Sequence, residues 1–229
     1  MLRLEELGVR IGDFALELSL ELPETARLGL LGPSGSGKST LLNTLAGFLQ
    51  ADKGRIFLGP EEISELPVAA RPLSILFQDS NLFPHLTVFD NVALGLRPDL
   101  KLSEAECGRI TEILVQVGLA EMSDRRPADL SGGQQSRVGL ARMLIRDKPL
   151  ALLDEPFAAL DPGLRTEMLT LVRELCIARQ MTLVMVSHDL RDVERLCTHL
   201  CLLDEGQVQI FGALDQILSD APAALRPWQ

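Results

Sequence analysis

The feature that most constrains this chain is Gly32-Pro33-Ser34-Gly35-Ser36-Gly37-Lys38-Ser39, which fits the pattern G-x-x-x-x-G-K-[ST]. The pattern carries meaning only between a strand and a helix. Here it follows the apolar run Leu28 to Leu31 and opens an apolar, helix-like stretch from about Lys38 to Leu49. Glycines in such a turn let successive backbone N–H groups face inward, and the helix start adds a partial positive charge, so residues 32–40, ending at Thr40, are predicted to cradle phosphate oxygens. Lys38 is spaced to reach the outer phosphates, and Ser39 to offer its hydroxyl to Mg²⁺ bridging the same phosphates. A turn that merely capped a helix would need neither residue.

A loop of this kind needs a sheet behind it. Phe14, Leu16, Leu18, Leu20 and Leu22 alternate with Ala15, Glu17, Ser19 and Glu21, the signature of a half-buried antiparallel strand, and Leu2 to Val9 is predicted to pair with it. Four short apolar runs follow: Arg27 to Leu31, Leu73 to Phe77, Leu150 to Leu153 and Thr182 to Val186. Three of them lead into polar or glycine-rich turns that open helices. That alternation predicts an α/β fold with a mainly parallel core sheet whose carboxyl ends carry the chemistry. Between the second and third runs, Leu86 to Val117 reads as an inserted helical unit. Leu200 to Phe211 reads as a hairpin around Asp204-Glu205-Gly206, followed by a short helix and a loose Pro-rich tail. At 229 residues the chain suits one large domain.

The run Leu150-Ala-Leu-Leu ends in Asp154-Glu155-Pro156, two acids at the tip of a buried strand. Asp154 suits the shell of Mg²⁺, and Glu155 suits the polarising of an attacking water. With the glycine-rich loop, this describes a P-loop nucleotide hydrolase. A third element narrows the class. Leu130-Ser131-Gly132-Gly133-Gln134 precedes the helix-like stretch Gln135 to Ile145, giving a second glycine-rich helix start. Two phosphate-binding ends and one acidic strand tip in one chain suggest that the second end serves a neighbour's nucleotide.

Residues 130–134 resemble the signature sequence of ABC ATPases. The other elements of that family follow in order: Phe77-Gln78-Asp79 as Q-loop, Ala158-Ala159-Leu160-Asp161 as D-loop and Val186-Ser187-His188-Asp189 as switch-histidine segment. The resemblance spans nearly the whole chain. It implies a single ABC ATPase domain over residues 1–229: a P-loop core with an antiparallel β subdomain and a helical subdomain over about residues 86–146. It implies a head-to-tail homodimer in which each ATP lies between residues 32–40 of one subunit and Ser131, Gly132, Gly133 and Gln134 of the other. Within it, Glu155 is the general base, His188 contacts the γ-phosphate, Gln78 joins Ser39 and Asp154 at Mg²⁺, and Asp161 communicates across the dimer. Taken alone, His188 is a histidine at a strand end, and its role, like that of Gln78, rests on the resemblance.

Two positions depart from the family pattern. Ala158 stands where the D-loop usually starts with serine. The family's adenine-stacking aromatic matches Ile11 in a chain without tyrosine, and Phe14 and Arg10 are the alternative covers for the base. The stretches 71–88, 91–96, 100–102, 167–172 and 180–183 are similar to ATPases of bacterial importers, those of thiamine importers above all. That likeness implies integral-membrane permease partners, an indirect periplasmic solute-binding protein, and a peripheral place on the cytoplasmic face of the inner membrane. An exporter ATPase and a non-transport ABC ATPase of DNA repair or translation are the rival readings.

Charge and composition limit the rest. A net charge of −10 argues against extended nucleic-acid binding. Acids in Met1 to Glu6 exclude a signal-peptide pattern, and no window of about 18 residues lacks charge, so a membrane would have to be met through a partner. The four cysteines lie in apolar surroundings without a disulfide framework; Cys197, His199 and Cys201 lack a fourth ligand and are expected to be core.

Overall fold

The computed structural model describes residues 1–79, 81–220 and 222–228. Two strands open the chain, β1 (Leu2–Ile11) and β2 (Phe14–Leu22), then β3 (Arg27–Leu31) runs into helix α1 (Lys38–Ala46). β4 (Lys53–Leu58), β5 (Glu61–Glu62) and β6 (Leu73–Leu76) lead to three helices, α2 (Val88–Ala93), α3 (Glu104–Gln116) and α4 (Gly132–Leu144). The rest alternates: β7 (Leu150–Asp154), α5 (Pro162–Ala178), β8 (Thr182–Val186), α6 (Leu190–Leu196), the hairpin β9 (His199–Asp204) and β10 (Gln207–Ala213), and α7 (Leu214–Asp220).

The strands form two sheets, an antiparallel one in the order β2-β1-β4-β5 and a larger one in the order β10-β9-β3-β8-β7-β6. In the larger sheet β9, β3, β8, β7 and β6 run parallel, and only the edge strand β10 is antiparallel. Its central strands are apolar on both faces because both faces are covered. Ala151, Leu153, Leu183, Met185, Leu200 and Leu202 point into a core shared with α2–α6. Their neighbours Leu150, Leu152, Val184, Val186, Cys201 and Leu203 point into a second core shared with α1 and the antiparallel sheet. The period of two thus divides one sheet between two cores.

In β1 the buried hydrophobic side chains are Leu2, Leu4, Leu7 and Val9, a slip of one residue between Leu4 and Leu7. A β-bulge absorbs it, with Glu6 at φ 47 and the register shifting on both neighbouring strands. Gly54 lies against the bulge, and a side chain there would collide with the carbonyls of Glu5 and Glu6.

Three expectations change in detail. Helix α1 stops at Ala46 rather than Leu49, because Gly47 adopts φ 85 and turns its N–H back onto Asn43 and Thr44. α4 begins at Gly132 rather than Gln135, since Ser131 caps it. The tail is not loose: residues Ala223–Trp228 form a 3₁₀ turn that drives Leu225 into the core with no exposed surface. Among the described residues no helix is long and apolar enough to cross a membrane. The importer-like stretch 71–88 includes Ser80, which lies outside the described residues.

Candidate active site

The sheet order decides which motifs meet. Leu30 of β3 is level with Val186 of β8, which is level with Asp154 of β7, and Leu153 is level with Leu76 of β6. Strands β3, β8, β7 and β6 therefore end side by side, delivering Gly32, His188, Asp154 with Glu155, and Gln78 to one edge. Four motifs far apart in sequence become neighbours through parallel register alone.

The glycine-rich loop has the backbone that only glycine adopts freely. Gly35 and Gly37 have φ of 80 and 105, and a side chain on Gly37 would come within 2.9 Å of the Phe14 ring. Gly206, in the β9–β10 turn, donates its N–H to the Ser36 carbonyl at 3.1 Å and accepts the Glu17 N–H at 2.9 Å, so this turn braces the loop from behind. Pro33, Ser34, Gly35 and Ser39 are exposed, while Ser36, Gly37 and Lys38 are buried. The Lys38 ammonium donates to the carbonyls of Gly32 and Pro33 at 2.8 Å each. Burial pushes its pKa below the ordinary lysine value, and the Glu155 and Asp154 carboxylates oppose that shift. Thr40 is half-buried in the first turn, and its carbonyl accepts the Thr44 hydroxyl.

The start of α1 is distinctive. Helices α2, α3, α4, α5 and α6 open on side-chain caps from Thr87, Ser103, Ser131, Asp161 and Asp189. α1 opens on Gly37 with no side-chain cap and no acid in its first turn. Its first N–H groups and the positive end of its dipole are left for an anion.

Across from it stand the acids. Asp154 ends β7 half-buried, and its pKa is raised by burial first and by the Glu155 charge second, against Lys38 and His188. Glu155 sits at φ 46, an unusual conformation for a residue with a side chain, which turns its carboxylate out of the strand line. Its Oε1 lies 2.6 Å from Nε2 of His188, whose side chain is about half exposed. Gln78 is exposed just past β6, one strand over from Glu155. The exposed Ser39 hydroxyl and the Asp154 carboxylate are the hard oxygen donors that Mg²⁺ takes, alongside phosphate oxygens.

Ser131 and Gln134 form a reciprocal capping box at the start of α4, with Ser131 and Gly132 exposed. Gly133 is buried against Leu164 of α5, which leaves no room for a side chain. Among the described residues no hydrogen bond joins residues 131–134 to residues 32–40. Asp161 caps α5 by accepting the Leu164 N–H at 3.1 Å, a role that its spacing before Pro162 already signals.

Ile11 and Phe14 are cross-strand partners flanking the Gly12-Asp13 turn. Phe14 is partly buried with its ring edge at Gly37, whereas Ile11 is 49% exposed. Arg10 falls on the other face of β1, beside Gly8, Asp52 and Lys53, which removes it as a cover for a base lying over the loop. Cys176, Cys197 and Cys201 are buried, burial raises each thiol above its ordinary pKa, and no metal-holding cluster occurs among the described residues.

Residues 16–158 match the sequence profile of the family described as ABC transporter. The chain is 59% identical over 228 residues to "Thiamine import ATP-binding protein ThiQ" of Jannaschia sp. (strain CCS1), with 100% of both chains covered. Among solved structures it resembles a nucleotide-free ATP-binding cassette from an ABC transporter, with TM-score 0.88 and 27% identity over 100% of this chain and 98% of that one. It also resembles MJ0796, a bacterial ABC transporter cassette solved as a dimer, with TM-score 0.78 and 28% identity over 93% of this chain and 99% of that one.

Proposed function

The chain belongs to the ABC transporter family, and on that premise we propose that it is the ATP-hydrolysing subunit of a thiamine importer, acting as a head-to-tail homodimer. The observation that carries the reading is the uncapped start of α1, with Lys38 beneath it, facing Asp154, Glu155 and His188 on one sheet edge. The backbone N–H groups of residues 34–40 and the Lys38 ammonium hold the β- and γ-phosphates of ATP. Ser39, Asp154 and Gln78 would hold Mg²⁺, which when bound would neutralise charge on those phosphates. Glu155 accepts a proton from the attacking water. His188, hydrogen-bonded to Glu155, fixes that carboxylate and turns toward the γ-phosphate. Ile11 contacts the adenine.

The exposed start of α4 at Ser131 and Gly132 supports a sandwich in which that helix start serves the partner subunit's ATP, with Asp161 at the dimer seam. Closure on ATP and opening after hydrolysis then drive the transporter by population shift. A cavity of about 460 Å³ beside Gln78, lined by Phe48, Phe77, Phe83 and Leu94, supports docking of a permease segment. The helical unit over residues 86–146 frames that surface. A permease would hold the chain on the cytoplasmic face of the inner membrane, with a periplasmic binding protein delivering solute, and nucleic acid has no part.

The thiamine assignment rests on the relative's printed function. Its test is radiolabelled thiamine uptake in a strain lacking its own importer ATPase, carrying this chain with the permease genes of its source. Uptake restored by wild type and lost in Lys38→Ala is expected. Co-purification with the permease without thiamine uptake would overturn the solute and keep the importer.

A further inference from the structure

A hydrogen-bonded chain leads from the loop of His188 into the first turn of α5. Asp192, only 8% exposed, takes three donors on its Oδ2: the Nε of Arg165 at 2.9 Å, the Nη2 of Arg165, and the Ser187 hydroxyl at 3.0 Å. The Ser187 oxygen also accepts the Asp189 N–H at 3.1 Å. One buried hydroxyl, on the residue before His188, thus holds the backbone of the residue after it. The imidazole above it is half exposed, with Glu155 as its one described partner. A cavity of about 140 Å³ is lined by both groups, Glu155 and His188 together with Arg165, Ser187 and Asp192.

The same turns of α5 touch the signature helix. Leu164 lies against Gly133, and Glu167 pairs with Arg137 of α4, whose other amine holds the Val117 carbonyl at 2.8 Å. Asp161 caps the turn from its start. Residues 164, 165 and 167 therefore face the signature helix, the histidine loop and the signature helix again.

We propose that Arg165 is a positioning residue for hydrolysis: through Asp192 and Ser187 it seats His188 on Glu155, and it makes that seat follow the position of the signature helix. Without the guanidinium, Asp192 is a buried carboxylate that has lost its counter-charge, which turns to water and releases Ser187. A lysine replaces the charge but not the planar two-point contact, so it restores the seat only in part. This rests on the reading of Glu155 and His188 given above.

The test is steady-state ATP hydrolysis by the full chain, with Arg165→Met, Arg165→Lys and Ser187→Ala each made alone and on a His188→Ala background. Arg165→Met is expected to lower kcat about tenfold with KM within about twofold, Arg165→Lys to recover part of the loss, and the Arg165→Met effect to shrink below about twofold when His188 is absent. A wild-type kcat for Arg165→Met, or an undiminished loss on the His188→Ala background, would overturn the proposal. If Arg165→Met does not fold, Ser187→Ala decides, since it removes only the hydroxyl link: a kcat-only loss supports the seat and wild-type turnover overturns it. Full turnover by His188→Ala alone would bring down the site reading itself, a result distinct from any Arg165 outcome.

Discussion

Arg71 offers a sharp test of how the phosphate-loop helix is anchored. It precedes β6, is 3% exposed, and spends its guanidinium entirely on carbonyls: Thr44 at 2.6 Å and Leu45 at 2.7 Å at the end of α1, Ser64 at 2.8 Å and Leu66 at 3.0 Å. Its pKa is lowered by burial, against the field of Glu65, so the cation is retained at a cost that the carbonyls must offset. Truncation to alanine leaves Leu45, Ser64 and Leu66 without these partners, while Thr44 keeps the Gly47 N–H at 3.2 Å. At about 1–2 kcal/mol for each orphaned carbonyl, discounted for water entering the space, Arg71→Ala should cost about 3–5 kcal/mol. At about 2–4 °C per kcal/mol for a domain of this size, the melting temperature should fall by roughly 10 °C. Arg71→Lys, reaching one or two carbonyls, should lie between. Calorimetry or circular dichroism reads both, and a melting point within about 2 °C of wild type would show that water satisfies these groups as well as Arg71 does.

Glu155→Gln should lower turnover about 10²–10⁴-fold while keeping ATP affinity, and should run as an ATP-bound dimer on size exclusion; a monomer that turns over like wild type refutes the assigned base. Ile11→Tyr should tighten ATP binding by up to about tenfold, roughly 1.4 kcal/mol, by nucleotide titration, and no gain would move the adenine to another side chain. Glu106 gives a pH test. The Ser103 N–H, the Arg97 guanidinium and the Ser103 hydroxyl hold its carboxyl down to about 2, so its contribution is complete above the ordinary glutamate range and lost as pH falls through about 2. Glu106→Gln should therefore melt below wild type at neutral pH and converge with it in acid; a constant gap would show that the charge is irrelevant.

What the sequence made legible was local. β2 has the limits its alternation predicts, Phe14 to Leu22, because one face meets the core and the other does not. The loop at 32–39, the acids at 154–155 and the helix start at 131–134 are motifs whose chemistry and spacing are contained in a few residues. The bulge in β1 was written in the phase slip from Leu4 to Leu7, although the alternation there reads as one plain strand. Pairings that depend on three-dimensional register were out of reach. Nothing near Arg165 announces Asp192, and nothing near Arg71 announces the end of α1. Leu225 was hidden by the prolines around it, which signal irregular backbone but say nothing about burial.

The brace formed by Gly206 has a consequence for how this protein is made. The glycine-rich loop proposed to receive phosphate is synthesised early, yet the turn that holds its back, and the strand β9 that pairs with β3, come near the other end of the chain. While the ribosome still holds that end, the glycine-rich segment has its sequence but not its support, and the emerging chain must wait for a contact of very long sequence separation, which is slow to form. The backbone support of the loop is thus completed late in synthesis, by closure of the sheet rather than by appearance of the motif. Fragments cut before β9 will carry every residue of the loop without its fixed shape.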